Sequence, residues 1–410
     1  MNLLAPAHPR SLSLAADHSS IRRANLSTVL GLLAEGPASR ADIAATTGMT
    51  RGTVGTLVAE LEQRGLVAIG DVRRGGAGRP GNLVRIRRDR VVALGLGMSD
   101  YFFNAVITDL SGNVIVTRRK ITNSGFPPPL SAVGELSSLA HGVLSEVATP
   151  ELTLSGIGVA IPGLVDTVNA SIPGTAWVRF PLRAELEPRL PGSLTGAHIH
   201  NAASLGAMAE QRLGGHRVDH LVYLTGSGGM EAGYIIDGRP YRGSSGFAGE
   251  VGHMLIDPDG RLCRCGRRGC WEAEVGLDAL FERIADQGDI IRDSMVDLDQ
   301  RTVAVMQRAR AGDERTLRGL TAVGRYLGIG IANLINAVDP QVVVGGGYIG
   351  RLGEWLIPLI NEEVASRAIA RDAIRCRVVG SALGADAAAI GAAIAALQPV
   401  LRDPGLVPAP

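Results

Sequence analysis

Lysine is almost missing from this chain of 410 residues: Lys120 is the only one, and every other basic residue is Arg. That bias fits a GC-rich genome rather than a mechanism. No segment is expected to supply the eighteen or so consecutive apolar residues of a membrane-spanning helix. Met1–Ser20 has neither a basic start nor an unbroken apolar run, so it does not read as a signal peptide. It reads as a loose tail, and the protein is expected in the cytoplasm with no membrane partner. Net charge is close to nil, +1 at pH 7. Cysteine is scarce as well, four in all, and nothing points to an oxidising compartment. At this length two or three domains are expected.

What charge there is lies unevenly. Residues 1–90 carry thirteen Arg against seven acidic residues, about +6, and residues 91–410 carry twenty-eight basic against thirty-three acidic, about −5. A basic first module on an acidic body implies a polyanionic partner for the first part alone.

Three of the four cysteines stand together. Gly249-Glu250-Val251-Gly252-His253 is followed by Cys263-Arg264-Cys265-Gly266-Arg267-Arg268-Gly269-Cys270-Trp271-Glu272. His253, Cys263, Cys265 and Cys270 suit a tetrahedral Zn²⁺ with one imidazole and three thiolates. Gly266 and Gly269 allow the tight folding that brings the third thiolate to the other two. The alternative is a disulfide plus a free thiol, though Cys263 and Cys265 are too near in sequence to bridge easily. A site with four protein donors is closed, which favours structure over catalysis. Glu250 and Glu272 flank it, and imidazole with carboxylates could clamp a polyhydroxylated ligand.

Leu26, Val29, Leu30 and Leu33 form one helical face, stopped by Gly36-Pro37. Ser39 opens a second helix with Asp42 as capping partner, and Thr47-Gly48-Met49 turns into a third that Thr50 caps and Gly65 ends. A short strand at Leu66–Ile69, a Gly/Arg-rich loop at Asp71–Gly81 and a return strand at Leu83–Ile86 complete a winged helix-turn-helix. The third helix offers Thr50, Arg51, Thr53 and Thr56 at its start, where this motif meets base edges in the major groove. Arg73, Arg74 and Arg79 lie on the pliant loop and suit a narrow minor groove. The competing readings are a small protein-binding or dimerisation module and a solvated linker. A single module of this size offers few phosphate contacts, so an inverted-repeat operator and a homodimer or homotetramer are expected.

G-E-x-G-H followed by C-x-C-G-x-x-G-C-x-E resembles the signature of the ROK family, named for repressors, open reading frames and kinases. The likeness extends over nearly the whole chain, because ROK repressors carry a winged module ahead of a sugar-binding body. It implies an α/β chain: residues 1–20 a tail, 21–90 the DNA-binding domain, and 91–400 a two-lobed body of the actin, hexokinase and ribonuclease H type. It also implies sugar contacts from Asn201, Glu250, His253 and Glu272, with Gly163 nearby, and a structural zinc that fixes the His253 imidazole. The effector would be a sugar, an amino sugar or a sugar phosphate.

Against the ROK kinases this chain departs in specific places. Their acidic D-x-G-x-T loop becomes Gly97-Met98-Ser99-Asp100-Tyr101. Their N-D-A-N becomes Asn201-Ala202-Ala203-Ser204, so Ala202 stands where the general base would be, and a methyl cannot take a proton. In the phosphate turn Gly228 replaces threonine, and Glu231 is expected to repel phosphate. Gly345-Gly346-Gly347 resembles the adenine-side turn or is only a strand-to-helix turn. Trp177–Leu182 resembles the loop over the cleft, with Trp177 either a lid or a core residue. Cys376 reads as a buried thiol, and the C-terminal tail as loose. The expectation is a sugar-responsive regulator, usually a repressor, that is not an enzyme. A bifunctional sugar kinase with a DNA-binding arm is the first rival, and a zinc-sensing regulator the second.

Overall fold

The computed structural model describes residues 18–72, 82–122, 125–166, 169–172, 175–226, 229–369 and 376–409. The chain divides into two compact units. Val91–Leu397 form the larger, and the smaller joins the N-terminal residues through Arg90 to the last residues from Gln398.

The smaller unit follows its local signals closely. Helix His18–Glu35 buries Leu26, Val29, Leu30 and Leu33. Ser39 and Asp42 close a reciprocal capping box, with the Ser39 hydroxyl accepting from the Asp42 amide at 3.1 Å. Gly48, at φ +72°, ends helix Arg40–Thr47. Thr50 caps helix Arg51–Gln63, whose inner face is Val54, Leu57, Val58 and Leu61. The wing strands Val67–Val72 and Asn82–Ile86 pair antiparallel. A two-residue strand, Ala38–Ser39, adds to their free edge, a pairing too short to announce itself in sequence.

The chain's end was expected to be loose, and it is not. Val407 is wholly buried, a single helical turn spans Pro404–Leu406, and Arg64 donates to the carbonyl oxygens of Gly405 and Val407 at 3.2 and 2.8 Å. Backbone carbonyls satisfied by a guanidinium, together with a buried apolar side chain, fix a segment that composition alone leaves open.

The larger unit has two lobes built on one plan. In the first, strands lie in the order Ala197–Asn201, Thr153–Ile161, Val91–Met98, Phe102–Asp109, Val114–Ile121. In the second the order is Arg377–Gly380, Val342–Gly345, Leu221–Leu224, Ala232–Ile236, Arg239–Tyr241. Numbered within each lobe, both read 5-4-1-2-3, with the first three strands antiparallel and the last two parallel. The repeated order is the duplicated α/β architecture expected of the body.

Helix Ala387–Arg402 corrects one expectation. Its region from Gly384 is long and apolar enough, at a mean hydropathy of 1.4, to cross a membrane by length and composition. Yet its alanines press on the first lobe's sheet. A Cβ on Gly95 would come within 1.9 Å of the Ala389 carbonyl, and one on Gly158 within 1.9 Å of the Ala392 carbonyl. The helix is apolar because backbone packs on backbone there, as in a protein core.

Trp177 also resolves. It is 1% exposed, its indole N–H donates to the Pro127 carbonyl at 3.0 Å, and it meets Phe180 edge to face. It is a core residue of the first lobe rather than a lid over the cleft.

Candidate functional site

A cavity of about 170 Å³ lies between the lobes of the larger unit, lined among others by Gly163, Glu231, Glu250, His253 and Glu272. Its second-lobe wall is built on the cysteine knot. His253 ends a single helical turn, Val251–His253. Cys263 and Gly266 close a tight loop, with the Gly266 amide donating to the Cys263 carbonyl at 2.9 Å. At Gly269 a Cβ would fall 1.6 Å from the Asp257 carbonyl, and φ is +70° there, so only glycine fits. Trp271 is fully buried and donates to the Tyr326 carbonyl at 2.9 Å, which anchors the helix bearing Glu272.

The donor atoms of His253, Cys263, Cys265 and Cys270 all lie within 4.8 Å of one another. Cys265 and Cys270 sulfurs are 3.6 Å apart, and Cys263 Sγ is 3.8 Å from His253 Nδ1. Ligands about 2.3 Å from a tetrahedral zinc stand roughly 3.8 Å from each other, so the set fits such an ion. The cysteines are free, and a disulfide would need sulfurs about 2 Å apart. Nδ1 faces the Cys263 thiol, and the same residue also lines the cavity.

The carboxylates share a crowded space. Burial first, then the neighbouring Glu231 and Glu272, push the Glu250 carboxyl up to about 7. Burial likewise raises Glu231. The Glu231 carboxylate accepts from the Gly163 amide and from Asn201 Nδ2, each at 2.7 Å. Sequence comparison with kinases placed this side chain over a phosphate; it points instead to the side of the cleft where Gly163 and Asn201 stand. No local signal could have shown this, because Gly163 and Asn201 belong to the other lobe. Gly228 lies outside the described residues.

Asn201 is in place at the head of helix Ala202–Leu213, and its Oδ1 caps the Ser204 amide at 3.0 Å. Ala202 lines the cavity with its methyl. Gly97 also lines it, and a Cβ there would meet Asn104 Oδ1 at 2.2 Å, while Asn104 donates to Asp386 at 2.7 Å. A side chain at position 97 would have to displace the Asn104 amide from this place. Tyr101 packs against the second lobe's core instead of presenting a threonine hydroxyl. Gly345–Gly347 ends a strand and begins helix Gly347–Arg351, with Gly347 at the cavity. Cys376 lies far from the knot in sequence and is only half-buried.

In the smaller unit Thr50, Arg51, Thr53 and Thr56 are all exposed at the start of the third helix. Two of them are engaged with each other: Thr50 and Thr53 hydroxyls are 2.9 Å apart, and Thr50 accepts the Thr53 amide at 3.2 Å. Thr56 donates to the Gly52 carbonyl. Arg51 is thereby the long side chain at the head of the helix. Arg73, Arg74 and Arg79 lie outside the described residues.

Comparison with known proteins bears on both units. The ROK family model matches residues 93–399, and the MarR family model matches residues 27–78. The xylose repressor of Bacillus subtilis is 29% identical over 381 residues, covering 92% of this chain and 95% of that protein. The transcriptional dual regulator NagC of Escherichia coli is 28% identical over 362 residues, covering 85% and 86%. Among solved structures, a ROK family transcriptional regulator described as a homologue of the E. coli MLC protein superposes with a TM-score of 0.71. The identity is 23%, over 94% of this chain and 98% of that one, which speaks to the fold. The chain belongs to the ROK family, its ROK body preceded by a MarR-type winged helix-turn-helix.

Proposed function

We propose that the protein is a sugar-responsive DNA-binding regulator, in the sense of a repressor, acting in the cytoplasm. The ROK body would bind a sugar between its lobes, with Glu250, His253 and Glu272 as contacts and Asn201 and Gly163 close by. Zn²⁺ on His253, Cys263, Cys265 and Cys270 would hold that wall together. The third helix of the winged module, with Arg51 at its head, would read an inverted repeat as part of a homodimer or homotetramer. The observation that supports this reading is the cavity wall that brings Glu250, Glu272 and His253 together, with His253 also one of the four clustered donors. Sugar can release DNA only if it binds one conformation of the protein more tightly than another.

Glu250→Ala should therefore bind operator as the parent does yet ignore sugar. A gel-shift titration with D-xylose and N-acetylglucosamine tests it, and dissociation at the parent's sugar concentration removes Glu250 from the site.

The same cleft should not phosphorylate its ligand. Ala202 cannot accept a proton, and Gly97 has no side chain to offer in place of the family's acid. Purified protein given ATP and each sugar should show no sugar-dependent turnover, and Ala202→Asp alone should stay inactive. Turnover by the parent would revive the kinase reading.

A further inference from the structure

We propose that Glu231, not Asn201, meets the ligand at the first-lobe side of the cleft, where it reads a hydrogen-bond donor, a sugar hydroxyl or an ammonium group. The inference rests on the sugar-binding reading of the cavity and deepens it.

Asn201 has no donor hydrogen left to give. One of its amide hydrogens goes to the Gly163 carbonyl at 3.0 Å and the other to Glu231 Oε2 at 2.7 Å, while its oxygen accepts the Ser204 amide at 3.0 Å. An Asn side chain has two donor hydrogens, so both are committed. The Gly163 amide is also taken, by Glu231 Oε1 at 2.7 Å. These three donor hydrogens are thus already committed, two of them to the Glu231 carboxylate and one to the Gly163 carbonyl.

That carboxylate is itself presented to the cavity, of which Glu231 is a lining residue. Each of its oxygens accepts one of these bonds and keeps a second lone pair. Its backbone is held on the second-lobe side. The Thr225 amide donates to the Glu231 carbonyl at 2.9 Å, and the Glu231 amide donates to the Thr225 hydroxyl at 3.1 Å. The neighbouring Met230 amide donates to Glu272 Oε2 at 3.2 Å. Glu231 is therefore positioned from both lobes at once: by its main chain from the second, by its side chain from the first. Asn201 becomes a positioning residue for Glu231.

Two consequences follow. As a carboxylate, Glu231 offers acceptors where Asn201 would offer a donor, so the ligand group it meets there carries a hydrogen. The subsite is also complete only when the lobes are joined through Glu231, which ties binding to cleft closure.

Calorimetric titration of the full-length protein tests this with D-xylose, D-glucose, D-glucosamine and N-acetylglucosamine as probes. The parent, Glu231→Ala, Glu231→Gln and Glu250→Ala are compared, with sugar-free operator binding as the check on folding. The probe that the parent binds best should bind Glu231→Ala at least tenfold more weakly. Glu231→Gln, which keeps the shape but turns one acceptor into a donor, should also lose affinity. Comparing glucose with glucosamine tells a hydroxyl donor from an ammonium donor. Parent-like or tighter binding by both Glu231 variants, with binding lost in Glu250→Ala, overturns the proposal and leaves the cleft in place. Parent-like binding by Glu250→Ala as well places the fault in the cleft reading. If the parent binds none of the four, hydrogen exchange decides. The Gly163 amide should exchange faster in Glu231→Ala than in the parent without any ligand, and equal exchange overturns the assignment.

Discussion

Cys263→Ser is expected to lose most of its bound zinc and to melt well below the parent. The segment from Leu255 to Gly269 has little core of its own: Leu255 is 62% and Leu262 65% exposed. Beside backbone hydrogen bonds and the side-chain contacts of Asp257 and Arg261, it is closed by the convergence of His253, Cys263, Cys265 and Cys270. In such a loop, metal-binding free energy is in part folding free energy. A thousandfold weaker site corresponds to about 4 kcal/mol, which in a domain of this size is a melting shift on the order of 10 °C. The sugar response should fall with it, because the ion would fix the ring of His253, a residue that lines the cavity. Cys376→Ser is the control, since that thiol lies outside the cluster, and it should keep both metal and melting point. Metal analysis by atomic emission and a thermal melt on the three proteins give the answer. Equal zinc and equal melting in Cys263→Ser and the parent remove the structural-metal reading.

How much of this was legible before the fold depended on the range of the interaction. The capping pair Ser39 and Asp42, the Thr50 cap and the four-donor knot are written within a few residues of themselves, and each stands where its spacing placed it. The two-lobed body was legible through family resemblance, but the shared strand order of the lobes rests on pairings between segments far apart in sequence. Gly95 and Gly158 are places where a helix from the far end of the chain touches the sheet, a contact with no local mark in the sequence. Val407 and Arg64 settle the C-terminal segment through a contact spanning 343 positions. Glu231 is the most instructive case. The motif around it belongs to one lobe, so comparison assigned it to that lobe's phosphate turn, whereas its partners Gly163 and Asn201 come from the other. Contacts across a cleft leave no periodicity to read.

An operator stripped of one half-site is expected to bind hundreds of times more weakly than the full inverted repeat. A single recognition helix offers few base contacts, with Arg51 the one long side chain at its head among the exposed residues Thr50, Thr53 and Thr56. The whole first module carries only about +6, which limits the phosphates one copy can neutralise. Joining two copies makes the second binding step intramolecular, a gain of roughly 10²–10⁴ when the spacing suits both. Half-sites should then be one helical turn apart or a multiple of it, about 10–10.5 base pairs per turn. Moving them by half a turn should cost nearly as much as deleting one. The salt dependence adds an independent measure, because the slope of affinity against salt follows the number of phosphates engaged and should roughly halve on a single half-site. Arg51→Ala should act differently. It should flatten the preference for guanine at one position of each half-site, by about 1–3 kcal/mol per contact, and leave non-specific binding little changed. Fluorescence anisotropy on the full, halved and respaced duplexes at several salt concentrations separates these effects. Parent affinity and parent salt slope on the half-site would mean that one copy suffices and that the dimeric reading of the operator is wrong.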